Sequence, residues 1–133
     1  MKHLRSGWNH KLNIEELIRE VSKKEKVILT DLKVNKDYPI KAHIPYDSFV
    51  NRSFSVGNEI ILGIYKNQER KIISFFHELA HIKNTKNYSS KYFEEKAMWK
   101  IAFQLAKKYG IPKFSKKTTE WYKNQLKSYN KGK

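Results

Sequence analysis

The chain has 133 residues, enough for one compact domain with its own core and too few for two domains of ordinary size. Apolar residues make up 39% of it and aromatic residues 14%, which argues against disorder, and the lack of cysteine excludes disulfides and thiolate metal sites. The formal net charge of +15 allows nucleic-acid binding, but many of the lysines are scattered singly, so a solvated basic surface is the favoured interpretation.

The N-terminus has basic residues without an apolar run behind them. No later segment approaches the roughly 20 apolar residues of a membrane span. We therefore expect a cytoplasmic protein without a membrane partner. We expect its single domain to cover residues 1–133, with a frayed tail at 130–133.

The first half of the chain predicts one helix followed by strands. Asn13 and Glu16 form the pattern of a helix N-cap and its reciprocal partner, and apolar residues recur at helical spacing behind them, which predicts a helix over 14–24. Short apolar or alternating segments bounded by turn residues predict strands at 27–30 and 39–44 and, after a turn, within 55–65.

The second half of the chain predicts three helices. The segment 71–83 is apolar around most of its circumference, which predicts a helix buried on several sides. A longer helix is predicted over 91–109, ending at Gly110, and a last one over 117–129. The predicted fold class is α+β: a small twisted β-sheet of about three strands packed against the 71–83 helix, with an N-terminal helix and two C-terminal helices.

The helix predicted over 71–83 contains His-Glu-Leu-Ala-His at residues 77–81. Histidines at i and i+4 stand one turn apart on the same helix face and can share a metal ion. With imidazole ligands and no cysteine, zinc is the expected metal, one ion per chain, held by His77 and His81, and Glu78 can act as general base on the attacking water. The pattern arises by chance only about once in seventy sequences of this composition, so ordinary core histidines are the weaker interpretation.

A catalytic zinc site usually has three protein ligands and a water molecule, so a third ligand is required. After His81 the chain has no histidine, aspartate or cysteine, and its acidic residues there are Glu94, Glu95 and Glu120. Glu120 lies among lysines where it favours a helix N-terminus. The centre of the apolar arc of the 91–109 helix lies roughly 40° from Glu95 and roughly 60° from Glu94, which favours Glu95 and leaves Glu94 as the alternative third ligand.

Peptide hydrolysis also requires a donor that stabilises the oxyanion. Tyr88, Tyr92 and Tyr109 are candidates by chemistry alone, because each offers a hydroxyl. The sequence does not choose among them.

The stretch Phe-Phe-His-Glu-Leu-Ala-His-Ile at residues 75–82, followed by a glutamate-rich helix start, resembles the gluzincin metallopeptidases, specifically the ImmA/IrrE group, over roughly residues 58–129. The resemblance implies a minimal gluzincin-like fold. It also implies that the two histidines of the motif and Glu95 bind zinc, and that Glu78 is the catalytic base.

The residues around the third ligand resemble the phage and mobile-element branch of that group, in which a glutamate stands four residues before a tryptophan. Glu95 and Trp99 have this spacing, which supports Glu95 over Glu94. Typical members have alanine-asparagine after the third ligand, whereas this chain has Ala97-Met98. The resemblance implies that the substrate is a helix-turn-helix repressor whose cleavage switches on mobile-element or stress-response genes.

Three functional hypotheses follow from the sequence. The first is an endopeptidase that cuts a specific cytoplasmic protein. The second is a non-catalytic basic module that binds DNA or an acidic protein on a zinc-stabilised fold, through the lysines of the C-terminal helices. The third and weakest is an ordinary core helix that binds no metal.

Overall fold

The computed structural model describes residues 13–33, 50–84 and 86–129. Over these residues it is an α+β structure with four helices and a three-stranded mixed sheet, as predicted. The predicted strand at 39–44 lies outside the described residues. In chain order the elements are α1 (Ile14–Glu25), β1 (Ile28–Asp31), β2 (Phe54–Val56), β3 (Glu59–Leu62), α2 (Gln68–Lys83), α3 (Lys91–Lys108) and α4 (Lys116–Ser128).

The sheet has the order β1-β3-β2, with β1 parallel and β2 antiparallel to β3. The prediction of a turn followed by a single strand within 55–65 is therefore incomplete, because this part of the chain also contributes to a hairpin. Val56 pairs with Glu59, and the two residues between them form the turn. Gly57 has a φ of 61°, a conformation that glycine adopts without strain at the first position of a two-residue hairpin loop.

Helix α2 begins three residues earlier than predicted. The side chain of Asn67 accepts a hydrogen bond from the backbone N–H of Arg70 at 3.0 Å, so Asn67 is the N-cap. The polar residues that follow it, which were predicted to separate strand and helix, form the first turn. Their polarity suits this turn because it lies at the surface, ahead of the buried part of the helix.

The main core surrounds α2, as its apolar circumference predicts. This helix supplies many of the core's most deeply buried side chains, including Ile72, Ile73, Phe75, Phe76 and Leu79, each 0% exposed. The sheet and α1 cover one side of α2, and α3 packs along another. Across the parts of the chain that the structure describes, no helix is both long and apolar enough to cross a membrane.

Two ion clusters fix α2 to its neighbours near both ends. Near its start, the buried Lys71 lies 2.9 Å from Asp31 in β1 and 3.1 Å from Glu15 in α1. Near its end, Lys83 lies 2.7 Å from Glu25, the last residue of α1. Because a buried ammonium group is costly unless it is paired, the first cluster constrains the position of α2 against the sheet.

Candidate metal centre

The two motif histidines lie on the face of α2 that is turned away from the deepest part of the core. His77 and His81 are one helical turn apart, and their ring centroids are separated by 4.8 Å. Their side chains are 12% and 19% exposed. Both rings are therefore largely enclosed, yet both remain accessible from one side.

Glu95 on α3 lies against both histidines. Its Oε1 is 2.7 Å from Nε2 of His77, and its Oε2 is 3.1 Å from Nε2 of His81. The residue is 2% exposed. Glu94 differs clearly: its side chain is 36% exposed, and its nearest approach to the motif is 3.6 Å, to Nδ1 of His81. The structure thus places Glu95, and not Glu94, against the Nε2 atoms of both histidines.

The pKa values of His77 and Glu95 are each shifted by neighbouring groups of this cluster. Burial alone would raise the pKa of Glu95, but hydrogen bonds and charges from His77 and His81 lower it well below its usual value. Burial would lower the pKa of His77, but Glu78 and Glu95 raise it above its usual value. Lys91 adds a further cation, with its Nζ 3.2 Å from Oε2 of Glu95. The carboxylate of Glu95 is therefore ionised and balanced by surrounding positive charge.

The arrangement fits a zinc ion in donor type and number. His77, His81 and Glu95 each offer one ligand atom, and these atoms lie within 4.8 Å of one another. Zinc with ligand distances of about 2.0–2.1 Å holds its ligand atoms about 3.3 Å apart in a tetrahedron. The contacts of 2.7 and 3.1 Å, which use different oxygens of Glu95, would lengthen slightly on binding, and separations of up to 4.8 Å would shorten by about 1.5 Å. Three protein ligands leave one position for water or substrate.

Trp99 packs against His77 of the candidate site. It stands one turn after Glu95 on α3, and its ring stacks on His77 at a centroid distance of 4.0 Å and an interplanar angle of 10°. The residue is 4% exposed, and within the described residues its indole N–H has no hydrogen-bond partner. Sequence reasoning treated Trp99 only as part of a family pattern and missed this contact, although the i, i+4 spacing from Glu95 places both residues on one helix face.

Glu78 lies beside the cluster without entering it. Its carboxylate is mostly buried, at 7% exposure for the residue, and Oε2 is 3.4 Å from Nδ1 of His77. It also lines the cleft that opens over the histidines. A carboxylate in this position can take a proton from a water molecule held at the cluster, which is the role that the sequence predicts for it.

The cluster forms the floor of a cleft with a volume of about 490 Å³. One wall is the segment 51–55, which leads into β2, and the opposite wall is α4, through Trp121, Gln125, Ser128 and Tyr129. A cleft of this size accommodates a small ligand or a few residues of a peptide. The helix α4, predicted only from its apolar face, thus also contributes to the site.

None of the three tyrosines considered as oxyanion donors lines this cleft. The hydroxyl of Tyr109 donates to Glu25 at the far end of α3, and burial together with Glu25 raises the pKa of Tyr109 to about 12. The hydroxyl of Tyr88 accepts a hydrogen bond from the Asn84 amide at 2.9 Å. Tyr92 packs beside Phe93.

Tyr65 and Tyr129 line the cleft instead. The hydroxyl of Tyr65 is 2.9 Å from Oγ of Ser53, and burial raises its pKa. Burial and the charge of Glu95 raise the pKa of Tyr129, while Lys91 lowers it. Both hydroxyls are therefore protonated donors at neutral pH. No signal local in sequence identifies either tyrosine, since only the packing of distant segments brings them to the cleft.

Comparison of the chain with protein-family models, curated proteins and solved structures finds no match. Function must therefore be inferred from the chemistry of the cleft and from the motif itself.

Proposed function

We propose that this protein is a zinc-dependent endopeptidase that hydrolyses a peptide bond in a specific cytoplasmic protein. His77, His81 and Glu95 are the proposed ligands of one zinc ion, and Glu78 is the proposed general base. The observation that carries the proposal is the contact of one buried carboxylate with both histidine Nε2 atoms at the floor of an open cleft. Three such ligands with an open fourth position are typical of catalytic rather than structural zinc.

The side chains around the cluster have positions suited to hydrolysis. Zinc, when bound, supplies a Lewis acid that lowers the pKa of water and polarises a carbonyl group. The Glu78 carboxylate accepts a proton from the attacking water and returns it to the nitrogen of the leaving amine. The hydroxyl of Tyr129 or Tyr65, on opposite sides of the cleft, donates a hydrogen bond to the developing oxyanion.

The proposed substrate is a helix-turn-helix repressor, which would make the protein a regulator of phage or mobile-element genes. Support for this part comes from the resemblance of residues 75–82 and of Glu95 and Trp99 to the ImmA/IrrE group. It is an analogy between motifs, so it bears on the biological setting and not on the reaction.

The test is cleavage of unstructured protein and of a quenched peptide library by the zinc-loaded full-length chain. We expect cleavage by the wild type, abolition by a chelator, and loss of at least 100-fold in Glu78→Gln. Elemental analysis of Glu78→Gln must still find one zinc per chain, because Glu78 is not a ligand. Equal cleavage by the wild type and Glu78→Gln would contradict the proposal.

A second candidate function is a non-catalytic basic module. The lysines of α3 and α4 are exposed, and they outnumber the acidic residues of the same two helices. Such a surface binds nucleic acid through its phosphates, with an affinity that falls steeply with salt. Salt-sensitive binding to a DNA duplex that is unchanged in Glu78→Gln, together with no cleavage by the wild type, would favour this function.

A further inference from the structure

The rim of the cleft carries an arginine that the proposed reaction does not use. Arg52 lines the cleft and is exposed. Among the residues that the structure describes, no carboxylate lies within ion-pair distance of its guanidinium group. A guanidinium group that has five donors and no carboxylate partner among the described residues is available to a ligand in the cleft.

The backbone on both sides of Arg52 is fixed. Asn51 has a φ of 55°, a conformation that asparagine tolerates better than most residues, and its N–H donates to the carbonyl of Ile64 at 2.9 Å. On the other side, Oγ of Ser53 accepts from the N–H of Gly63 at 2.8 Å and meets the Tyr65 hydroxyl at 2.9 Å. Arg52 is therefore presented to the cleft from an anchored turn, so only its side chain must be ordered when a ligand binds.

Of the two cations that line the cleft, Lys91 meets a carboxylate and Arg52 meets none among the described residues. The carboxylate of Glu95 contacts both histidines and Lys91. That leaves the Glu78 carboxylate, near His77, as the remaining anion of the lining, facing the cation of Arg52 on the rim. The net charge of +15 adds a long-range attraction for acidic partners.

We propose that Arg52 binds an acidic side chain of the substrate close to the scissile bond, so that the cleft selects peptides with glutamate or aspartate at one position. This inference rests on the proposed peptidase function. The planar guanidinium group can hold a carboxylate with two parallel hydrogen bonds, which gives geometric selectivity as well as attraction. A lone lysine would supply charge without that geometry.

The test uses quenched octapeptide libraries in which glutamate, glutamine or lysine is fixed at each position in turn. For the zinc-loaded wild type we expect kcat/KM to be about 5- to 10-fold higher with glutamate than with glutamine at one position. Arg52→Gln should bring this ratio close to one, mainly through KM, and Arg52→Glu should favour lysine at the same position. Lys100→Gln, which removes an exposed charge outside the cleft, should keep the wild-type ratio.

A binding measurement separates this inference from the peptidase function. Fluorescence anisotropy of labelled glutamate and glutamine octapeptides is measured on full-length Glu78→Gln, alone and combined with Arg52→Gln or Lys100→Gln. A preference for glutamate that disappears only with Arg52→Gln supports the role of Arg52, even if no peptide is cleaved and the peptidase function fails. Cleavage without any preference for glutamate, or equal losses with Arg52→Gln and Lys100→Gln, would overturn it. The inference would also be overturned if a single-stranded oligonucleotide bound more tightly than any acidic peptide and if Arg52→Gln abolished that oligonucleotide binding.

Discussion

The two adjacent glutamates of α3 should differ sharply in their effect on zinc affinity. Glu95 contacts both histidine Nε2 atoms at 2.7 and 3.1 Å and is 2% exposed, whereas Glu94 is no closer than 3.6 Å to Nδ1 of His81. Glutamine at either position keeps the size of the side chain and removes its charge. The pair Glu95→Gln and Glu94→Gln therefore compares a proposed ligand with a neighbour of the same type.

The expected magnitude follows from the ligand count. Zinc-binding free energies of roughly 10–16 kcal/mol in sites with four ligands correspond to about 2.5–4 kcal/mol per ligand. Each 1.4 kcal/mol is a factor of about ten, so Glu95→Gln should weaken zinc binding by two to three orders of magnitude. Glu94 can act only on the outer nitrogen of His81, and because its side chain is 36% exposed we expect Glu94→Gln to cost about tenfold or less.

Competition of each variant with a chromogenic zinc chelator measures these affinities. Thermal unfolding in the presence of a chelator serves as the control, because it reports any loss of stability that is independent of metal. Equal losses of affinity in the two variants, or a larger loss in Glu94→Gln, would refute the assignment of Glu95 as the third ligand.

Three further predictions concern side chains around the site and the frame that holds it. Trp99→Phe keeps an aromatic face against His77 and should change zinc affinity by less than about threefold, whereas Trp99→Leu should weaken zinc affinity by about tenfold. Competition titration measures both affinities, with Met98→Leu as a buried control. Similar losses in Trp99→Phe and Trp99→Leu would contradict this prediction. Tyr129→Phe should lower kcat by about tenfold if the Tyr129 hydroxyl stabilises the oxyanion. Tyr109→Phe should leave kcat unchanged, because the Tyr109 hydroxyl bonds to Glu25 outside the cleft. A larger loss of kcat in Tyr109→Phe than in Tyr129→Phe, in steady-state assays, would exclude Tyr129 from the reaction. Glu25→Gln should lower the free energy of unfolding by about 1–2 kcal/mol at pH 7 in denaturant titrations, because hydrogen bonds from Lys83 and Tyr109 lower the pKa of Glu25 below its usual value of 4.5. A carboxylate with a lowered pKa stabilises the fold above its unfolded pKa and loses that effect as pH falls through its folded pKa. The difference in free energy of unfolding between Glu25→Gln and wild type should therefore shrink below about pH 4.5. A constant difference down to pH 3 would contradict this cause.

Local signals in the sequence predicted the helices well, and they also predicted that His77 and His81 lie on one helix face. Caps and helical periodicity depend on residues a few positions apart, so α1, α3 and α4 begin and end within one residue of their predicted bounds. The spacing of His77 and His81 is likewise set by one helix. Glu95 and Glu94 differ by only about 20° in their distance from the apolar arc, so the choice between them depended on how α3 packs against α2.

The cleft could not be predicted in the same way. Arg52, Tyr65 and Tyr129 come from a turn, the segment after β3 and the end of α4. Nothing in their local patterns distinguishes them from other exposed or half-buried residues, because their proximity is a product of tertiary packing. The three tyrosines considered from the sequence were candidates by chemistry alone, and α3 carries one of them, Tyr109, to its far end, away from the histidines.

Glu95 contacts Nε2 of both histidines directly, and the apolar core is built without these three side chains, so protein contacts alone hold the proposed ligands together. Removal of zinc should therefore leave the chain folded, in contrast to small zinc domains that unfold without metal. Zinc at 100 times its dissociation constant contributes about 2.7 kcal/mol, so chelation should lower Tm by roughly 10 °C while the far-UV circular dichroism stays unchanged. A spectrum of an unfolded chain after chelation would show that the cluster needs the ion to assemble, and an unchanged Tm would show that no ion is bound. A cooperative transition at the lower temperature would instead mean that α2 and α3 hold the three ligands in place before zinc arrives, which is the rigidity that a catalytic site requires.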